Sequence, residues 1–355
     1  PEPIHRMWAV SDMDIIGLLS EADRHLGRLD MYSEYVPNID LFIRMHVLKE
    51  ATQSSKIEGT KTNIEEALQE KASLAEEKRD DWEEVQHYIQ ALNHAIVSLD
   101  KLPFSSRLIR QAHQILLQGV RGKHKIPGEF RTSQNWIGGA SLRDAAFVPP
   151  PHSAIGDLMG DLEKFVHDAR IKLPDLLKIA LIHYQFETIH PFLDGNGRVG
   201  RLMITLYLVE KAILKRPVLY LSDFLERHRS LYYDNLMRVR EKGDLAQWFR
   251  FFLTGVIETA KSGISTFDHI LKLQKEVDDK LERIGIRARN ARLVMHHLYQ
   301  HPLLNIQTVE SVTGLSRPSA YKLIADLEEL DIIEEMTGAK RGKQYRFQQY
   351  IQLFQ

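Results

Sequence analysis

The chain of 355 residues has no cysteine, no long apolar run and a formal net charge of only −1. Without cysteine there are no disulfides, no thiolate catalysis and no cysteine-bound zinc, and we expect a cytoplasmic protein. The balanced charge gives no overall field that would favour nucleic acid or a membrane surface. No apolar stretch reaches the roughly 18–20 residues of a membrane span, and the polar start predicts no signal peptide. The length allows about two domains.

Apolar residues at helical spacing predict that the first 250 residues are mainly helical. One such segment, with an apolar face over residues 41–51, stops near Gly59. A capping box over residues 62–65 begins the next helix, which is expected to extend to about Lys71. Further helices are predicted over residues 80–100, 106–119, 155–169, 176–188, 199–214, 229–244 and 245–264, and a charged connector with helical character over 271–284.

The helical pattern breaks between about Val120 and Pro151. This segment contains Gly128, Gly138 and Gly139 and a run of three prolines that excludes a helix. We predict a loop with a small β-hairpin. A plain surface connector and a functional loop both remain open here, because loops of this length in compact domains are often functional.

From Arg287 onward the pattern is helix, helix, turn, helix and a β-wing, which predicts a winged helix-turn-helix domain. Gly314 lies in the expected turn, and Ser316 is placed to cap the third helix. Basic side chains lie on that helix and in the wing, and acidic residues offset them in "DLEELDIIEE". Either DNA binding or a contact with protein fits this module, whose modest basic set is Arg317, Lys322, Lys340, Arg341 and Lys343.

The segment "HPFLDGNGRVGR", residues 190–201, is the most informative. Gly195 and Gly197 permit a tight loop whose amides form an anion nest, and a helix is expected to begin at about Val199. Arg198 and Arg201 are three residues apart, so both project from one side of that helix. Two guanidinium groups beside an amide nest indicate a polyphosphate site.

Two further side chains complete this segment. Asp194 could hold Mg²⁺ through its carboxylate while phosphates fill the remaining positions. His190 could act as a general base near neutral pH. Each feature alone is ordinary, since a His-Pro pair is usually a turn and spaced arginines are usually solvated. Their combination within twelve residues favours a functional site.

These residues resemble the signature of the Fic family, His-Pro-Phe-x-Asp/Glu-Gly-Asn-Gly-Arg-x-x-Arg, and every specified position is matched. The resemblance implies a mainly α-helical Fic-type bundle with a β-hairpin flap. It also implies a protein adenylyltransferase, which moves AMP from ATP to a Ser, Thr or Tyr hydroxyl of a target protein and releases pyrophosphate. The same site is compatible with removal of AMP.

The resemblance also implies a role for each residue. His190 would be the base, Asp194 the Mg²⁺ ligand, and Arg198 and Arg201 the partners of the β- and γ-phosphates. Asn196 would bind the α-phosphate together with the loop amides, and Pro191 and Phe192 would form a turn and a core anchor. The nucleotide-binding loop as a whole would comprise Asp194, Gly195, Asn196, Gly197, Arg198, Val199, Gly200 and Arg201.

The broken segment is similar to the family's flap, on which an extended piece of the target protein docks, here near residues 134–148. Ile137, Gly138 and Gly139 would lie closest to the nucleotide. The stretch "YYDNLMRVREKGD" resembles the border of the adenine pocket and points to Tyr232, Tyr233 and Arg240. Core packing remains an equal explanation for the two tyrosines.

Glu58, within "SSKIEGT", is an awkward residue because its carboxylate faces the negative end of a helix dipole. A solvated surface charge is the plain explanation, since such effects are only roughly 0.3–1 kcal/mol. The stretch also matches the family's inhibitory motif, Ser/Thr-x-x-x-Glu-Gly/Asn, from Ser54 to Gly59. This match implies that Glu58 pairs with Arg201 and keeps the guanidinium from the γ-phosphate.

We therefore expect an N-terminal helical region over residues 1–105 that carries the inhibitory helix, and a catalytic core over 106–255. A helical connector over 256–286 and a winged helix-turn-helix domain over 287–355 would follow. ATP and Mg²⁺ are the expected cofactors, and a homodimer is expected because family members are often dimers. The alternative is a DNA-binding regulator that acts mainly through residues 290–347.

Overall fold

The structure is a computed structural model that describes residues 1–36, 39–119, 123–338 and 342–355. It is mainly helical, as predicted. In the described residues, the N-terminal part contains five α-helices, which are α1 (Met13–Tyr35), α2 (Ile39–Ile57), α3 (Ile64–Leu68), α4 (Arg79–Ser98) and α5 (Ser106–Leu116). Helix α2 packs against α4 and ends before Gly59, whose φ of 107° suits glycine.

The central part builds the bundle around two buried helices. Its elements are α6 (Ile155–His167), α7 (Asp175–Ile189), α8 (Asn196–Glu210), α9 (Ser222–Arg227), α10 (Arg229–Lys242) and α11 (Leu245–Leu281). Helices α7 and α8 pack on each other, and almost all their side chains are buried. Among the described helices, none is both long and apolar enough to cross a membrane.

The C-terminal part contains a small antiparallel sheet. Its elements are α12 (Ala288–Gln300), β1 (Leu303–Asn305), α13 (Ile306–Thr313), α14 (Arg317–Glu329), β2 (Glu334–Glu335), β3 (Gln344–Arg346) and α15 (Gln348–Gln352). Strand β3 lies between the other two, with Tyr345 opposite Leu304 of β1 and Glu335 of β2. Gly314, at φ 69°, makes the turn between α13 and α14. Helix α12 packs against α2.

The predicted capping box lies one residue later than expected. Asn63, not Thr62, caps α3: its side chain accepts a hydrogen bond from Glu66 N at 2.8 Å, and Asn63 N donates one to Glu66 Oε2 at 3.1 Å. Asparagine caps helices better than threonine. The helix ends at Leu68 rather than Lys71 because Gln69 is extended, with ψ of 160°.

The helix predicted over residues 245–264 and the helical connector predicted after it are not separated, because residues 245–281 form one continuous helix, α11. Its apolar stripe extends past the expected break at residue 264, and α1 packs along it. The division expected at residue 255 therefore falls inside a helix. The buried residues of the extension are Phe267, Ile270, Leu273, Val277 and Leu281.

Smaller differences concern the C-terminal part and the loop before α6. Ser316 occupies the N-cap position of α14, but its side chain makes no capping hydrogen bond. The predicted hairpin is reduced to one antiparallel bridge, between Ile137 and Phe147, because the glycines inside it adopt positive φ. Three residues of the sequence predictions lie outside the described ranges. They are Val120, predicted as the start of a loop, and Lys340 and Arg341, predicted as cations of the wing.

Candidate active site

His190 lies where α7 ends and the loop to α8 begins. Its backbone is left-handed, with φ 49° and ψ 61°, and its N–H donates to Phe186 O at 2.9 Å. A non-glycine residue in this conformation is uncommon and depends on its surroundings. The His190 carbonyl accepts a hydrogen bond of 3.0 Å from Arg131 Nε. The chain therefore turns sharply at this histidine, in a position that the neighbouring loop stabilises.

The loop after His190 is closed by the side chain of Asn196. Its Oδ1 accepts from Phe192 N at 2.8 Å, and its Nδ2 donates to Phe192 O at 2.9 Å. The Phe192 ring is buried and stacks on His113, with centroids 3.7 Å apart and an interplanar angle of 8°. Phe192 is thus the core anchor that the sequence predicted. The Asn196 side chain shapes the loop here, and a contact of Asn196 with the α-phosphate stays a prediction.

The amides at the start of α8 form the candidate anion site. The helix begins at Asn196, earlier than the predicted Val199, because Gly195 adopts φ 74° at the N-cap. Val199 is fully buried in the core, and the Gly200 carbonyl accepts a hydrogen bond from His183 Nδ1 at 2.9 Å. At these two of the eight loop positions implied by the family, the observed contacts are with the interior of the bundle, and their part in nucleotide binding stays a prediction.

Both predicted arginines are buried and already carry acidic partners. Arg198 Nη1 donates to Glu84 Oε2 on α4 at 2.9 Å. Arg201 Nη2 donates to Glu58 Oε1 at 2.6 Å, so the ion pair implied by the sequence motif is present. The Glu58 side chain is 34% exposed, whereas that of Arg201 is 1% exposed. The Arg201 head is thus covered by the end of α2.

Ser54, the first residue of the motif that contains Glu58, also binds Arg201. Arg201 Nε donates to Ser54 Oγ at 2.9 Å, and Nη2 donates to Ser54 O at 2.8 Å. Burial raises the pKa of Glu58, but the charge of Arg201 outweighs this effect and leaves the pKa below its usual range. Gly197 accommodates this contact, because a Cβ atom there would come within 2.2 Å of Glu58 Oε1.

The imidazole of His190 is neutral at pH 7. Burial, followed by the charge of Arg240, lowers its pKa to about 4. Its Nδ1 is buried and has no hydrogen-bond partner among the described residues. A neutral imidazole has one unprotonated ring nitrogen and can accept a proton there, as a general base requires.

The flap is attached to the site by arginine side chains. Ile137 and Phe147 exchange backbone hydrogen bonds of 2.9 and 3.1 Å. The guanidinium of Arg240 lies 4.0 Å above the Phe147 ring and donates to Thr188 Oγ1 at 3.2 Å. Gly138 and Gly139 follow the bridge with φ near 70°. Arg240 therefore connects the flap to α7, next to His190.

The two tyrosines proposed for the adenine pocket differ in their surroundings. Tyr232 is buried in the core, where its hydroxyl lies 2.9 Å from His183 Nε2 and its ring packs against Trp248. These contacts are those of a core residue, and a part for Tyr232 in an adenine pocket stays a prediction. Tyr233 is exposed on α10, and its ring lies 5.1 Å from that of Tyr232.

Asp194 is the one predicted metal ligand. Its side chain is 46% exposed, and its Oδ1 accepts from Gly195 N at 2.6 Å. No group of three or more potential ligand residues occurs within the described ranges. A single carboxylate suits Mg²⁺ only when substrate phosphates and water complete the coordination, and Asp194 beside the anion site has this character.

Several residues that hold the site were not predicted. Arg131 donates to the carbonyls of Ser133 and Pro150, at the two ends of the flap, and to that of His190. His113 accepts from Gly128 N at 2.8 Å and bonds to Asp194 O at 3.0 Å. No local pattern marks them, because their partners are up to 81 residues away in sequence.

A helical bundle that brings a histidine turn, a glycine-containing loop and two arginines to one helix N-terminus defines a protein with a Fic-type anion site. Two family models match the chain, "Fic/DOC family N-terminal" over residues 16–97 and "Fic/DOC family" over residues 103–208. Together they match more than half of it. The chain therefore belongs to the Fic/DOC family.

Curated relatives match parts of the chain. "Protein adenylyltransferase Fic" of Aedes aegypti is 35% identical over 125 residues, which are 35% of this chain and 22% of that protein. A probable protein adenylyltransferase of Aquifex aeolicus is 28% identical over 179 residues, covering 48% of this chain and 50% of that protein. The chain thus spans about a fifth of the length of the former and half of the latter.

A solved structure resembles almost the entire fold. A Fic family protein from Desulfovibrio desulfuricans aligns with a TM-score of 0.61 at 21% identity, covering 96% of this chain and 98% of that one. At this identity the likeness concerns the fold.

Proposed function

We propose that the chain is a protein adenylyltransferase that transfers AMP from ATP to a hydroxyl group of a target protein, and that Glu58 inhibits it. The observation that carries this proposal is the meeting of a neutral His190, the N-terminus of α8 and two buried arginines within one loop and helix. The names of the curated relatives support the same chemistry.

In the proposed reaction, the hydroxyl oxygen of the target attacks the α-phosphorus of ATP, and the bond to pyrophosphate breaks. His190 takes the proton from the hydroxyl. The pKa of about 4 is low for a base, and the negative charge of bound phosphates would raise it towards neutrality. The same geometry would allow water to attack an AMP-modified protein, so removal of AMP belongs to the proposal.

The amides of α8, Arg198 and Arg201 would bind the phosphates and neutralise the charge that develops on the leaving pyrophosphate. Mg²⁺ is proposed to bind Asp194 and would supply further neutralisation of the phosphate charge. Arg198 would exchange Glu84 for a phosphate oxygen. The Asn196 side chain keeps the loop closed while the phosphates bind its backbone.

Inhibition would follow because the guanidinium of Arg201 is already bound by groups of α2 and the residue after it. Both Nη2 and Nε of this guanidinium are used by Glu58 and Ser54. Without this partner for its γ-phosphate, ATP would bind in a pose in which the target hydroxyl is not in line with the bond to pyrophosphate. Such a pose would inhibit the reaction, because alignment of the reacting atoms is a large part of catalysis.

The target is proposed to dock on the flap by strand addition. Exposed apolar side chains on both sides of the Ile137–Phe147 bridge offer a surface for an extended segment. These exposed residues are Trp136, Leu142 and Val148.

We also propose that residues 287–355 form a winged helix, in which β2 and β3 make the wing. Arg317, Tyr321 and Lys322 on α14 are exposed and could reach DNA. The packing of α12 on α2 instead favours a role in contact with protein. Filter binding to random duplex DNA over a salt series separates these roles, because a negligible salt slope excludes phosphate binding.

Incubation with labelled ATP and Mg²⁺ tests the enzymatic proposal. We expect Glu58→Gly to increase automodification, and Glu58→Gly combined with His190→Ala to abolish it. Mass spectrometry should find an added AMP on a hydroxyl side chain. An unchanged rate in Glu58→Gly would contradict inhibition, and no transfer by that variant would contradict the activity.

A further inference from the structure

A second carboxylate, that of Glu187, lies beside Arg201 and is not used in the mechanism above. Glu187 lies on α7, three residues before His190, and is buried. Its Oε1 has no hydrogen-bond partner among the described residues. A buried carboxylate oxygen without a partner is costly and therefore calls for an explanation.

Two glycines on α8 make room for two carboxylates. A Cβ atom on Gly197 would come within 2.2 Å of Glu58 Oε1, and one on Gly200 would come within 2.5 Å of Glu187 Oε1. The glycines are three residues apart and lie on neighbouring turns of one helix. Glu58 and Glu187 thus contact α8 at adjacent positions, directly before Arg201.

Arg201 also has an unused donor. Its Nη1 is buried and without a hydrogen-bond partner in the described part of the chain, while Nη2 binds Glu58. In this state the guanidinium makes a hydrogen bond to Glu58 but none to the neighbouring carboxylate of Glu187. When Glu58 leaves, Ser54 remains as an uncharged partner, and the buried cation still interacts with two carboxylates, Glu187 and Glu50. Both oxygens of Glu50 already accept hydrogen bonds, whereas Glu187 Oε1 has no partner among the described residues and can take up Arg201.

We propose that Glu187 is a positioning residue that holds Arg201 in the site for the terminal phosphate of ATP once Glu58 has withdrawn. The inference rests on the proposed function, because that function makes Arg201 a phosphate partner. It adds a residue outside the twelve-residue signature, together with the glycine at position 200 that admits its carboxylate.

The surroundings of Glu187 make this role dependent on pH. Burial raises its pKa to about 7, and the positive charges of Arg201 and Arg240 oppose this effect while Glu58 adds to it. Tyr232 and Tyr233 on α10 also interact electrostatically with Glu187. Removal of Glu58 takes away a like charge, so the pKa should fall and the carboxylate should be ionised at neutral pH.

The test measures the Kd for ATP by calorimetry on the full chain carrying Glu58→Gly. Addition of Glu187→Gln should weaken binding about tenfold, and Glu187→Asp should restore part of the loss. Gly200→Ala should weaken binding similarly, because its methyl group displaces the carboxylate. The matched control is Gly160→Ala on α6, where a Cβ atom meets nothing within 4 Å, and it should leave the Kd unchanged.

A pH series distinguishes positioning from a merely structural role. Between pH 8 and pH 5.5, binding by Glu58→Gly should weaken as Glu187 becomes protonated, and this change should be smaller when Glu187→Gln is also present. Titration of ATP itself is common to both proteins. Parallel pH profiles, or an unchanged Kd in Glu187→Gln, would overturn the inference. If Glu58→Gly binds ATP but transfers no label, the proposed activity fails, and the Kd values still decide the role of Glu187.

Discussion

Replacement of Glu58 by glutamine tests whether the ion pair with Arg201 stabilises the protein without nucleotide and opposes the binding of ATP. The variant keeps the shape of the side chain but removes its charge from a contact of 2.6 Å. Exposed pairs contribute roughly 0–1 kcal/mol, whereas loss of one partner from a buried pair costs about 3–5 kcal/mol. Glu58 is 34% exposed and Arg201 is buried. We therefore expect the free energy of unfolding without nucleotide to fall by roughly 1–2 kcal/mol.

Binding of ATP should respond in the opposite direction. The pair must open before Arg201 can bind a phosphate, so a pair weakened by roughly 1.4 kcal/mol would increase the affinity for ATP about tenfold. Differential scanning calorimetry at increasing ATP and Mg²⁺ should show a lower Tm for the variant without nucleotide and a larger rise with it.

The matched control for this experiment is Glu226→Gln. Glu226 pairs with Lys56 at 3.0 Å beside the same end of α2 but does not contact Arg201. It should change the response to ATP little. An equal ATP-dependent rise in the wild type and in Glu58→Gln would refute the reasoning, because it would show that ATP binds without displacing Glu58.

Three further predictions follow from the site. Asn196→Ala removes both hydrogen bonds to Phe192 and should lower stability by about 2–3 kcal/mol in urea denaturation, with a smaller loss in Asn196→Asp. Arg131→Met releases the flap from His190 and should reduce labelling at least tenfold, with little change in ATP affinity. Histidines with a pKa near 3 or 4 stay neutral in the folded protein, whereas histidine side chains of the unfolded chain become protonated near pH 6.5. The free energy of unfolding should therefore fall by up to about 1.4 kcal/mol per histidine per pH unit between pH 6.5 and 4. An unchanged urea midpoint at pH 5 would contradict the last prediction, which concerns His46, His113, His183 and His190.

The sequence predicted those parts of the site that depend on the local spacing of residues. The spacing of Gly195, Gly197, Arg198 and Arg201 places an anion site at a helix start, because 3.6-residue periodicity and glycine geometry are local properties. The contact between Glu58 and Arg201 spans 143 residues. It was predictable only because the resemblance to a known family linked the two motifs.

The parts that escaped prediction depend on which segments meet in space. Asn196 closes its own loop, and Tyr232 faces His183, because of packing between α7, α8 and α10 that no single helix reveals. The same holds for the continuation of α11, where α1 covers the apolar stripe. The charged composition of residues 271–284 suggested a break in the helix, but burial of one face of α11 against other helices stabilises it as one continuous helix.

The packing of α2 limits how Glu58 can leave Arg201. The opposite end of this helix is held by the C-terminal part, where Phe42 contacts the rings of Tyr299 and Tyr350 at 5.5 and 6.3 Å and His46 contacts Phe354 at 5.0 Å. Moving the whole helix would expose the Phe42 side chain, and this exposure by itself would cost about 1.5–3 kcal/mol. Rotation of the Glu58 side chain, which is already one-third exposed, breaks only the ion pair. Withdrawal of the carboxylate at the Gly59 end of α2 is therefore the less costly route, and the C-terminal part stabilises the helix against the larger movement.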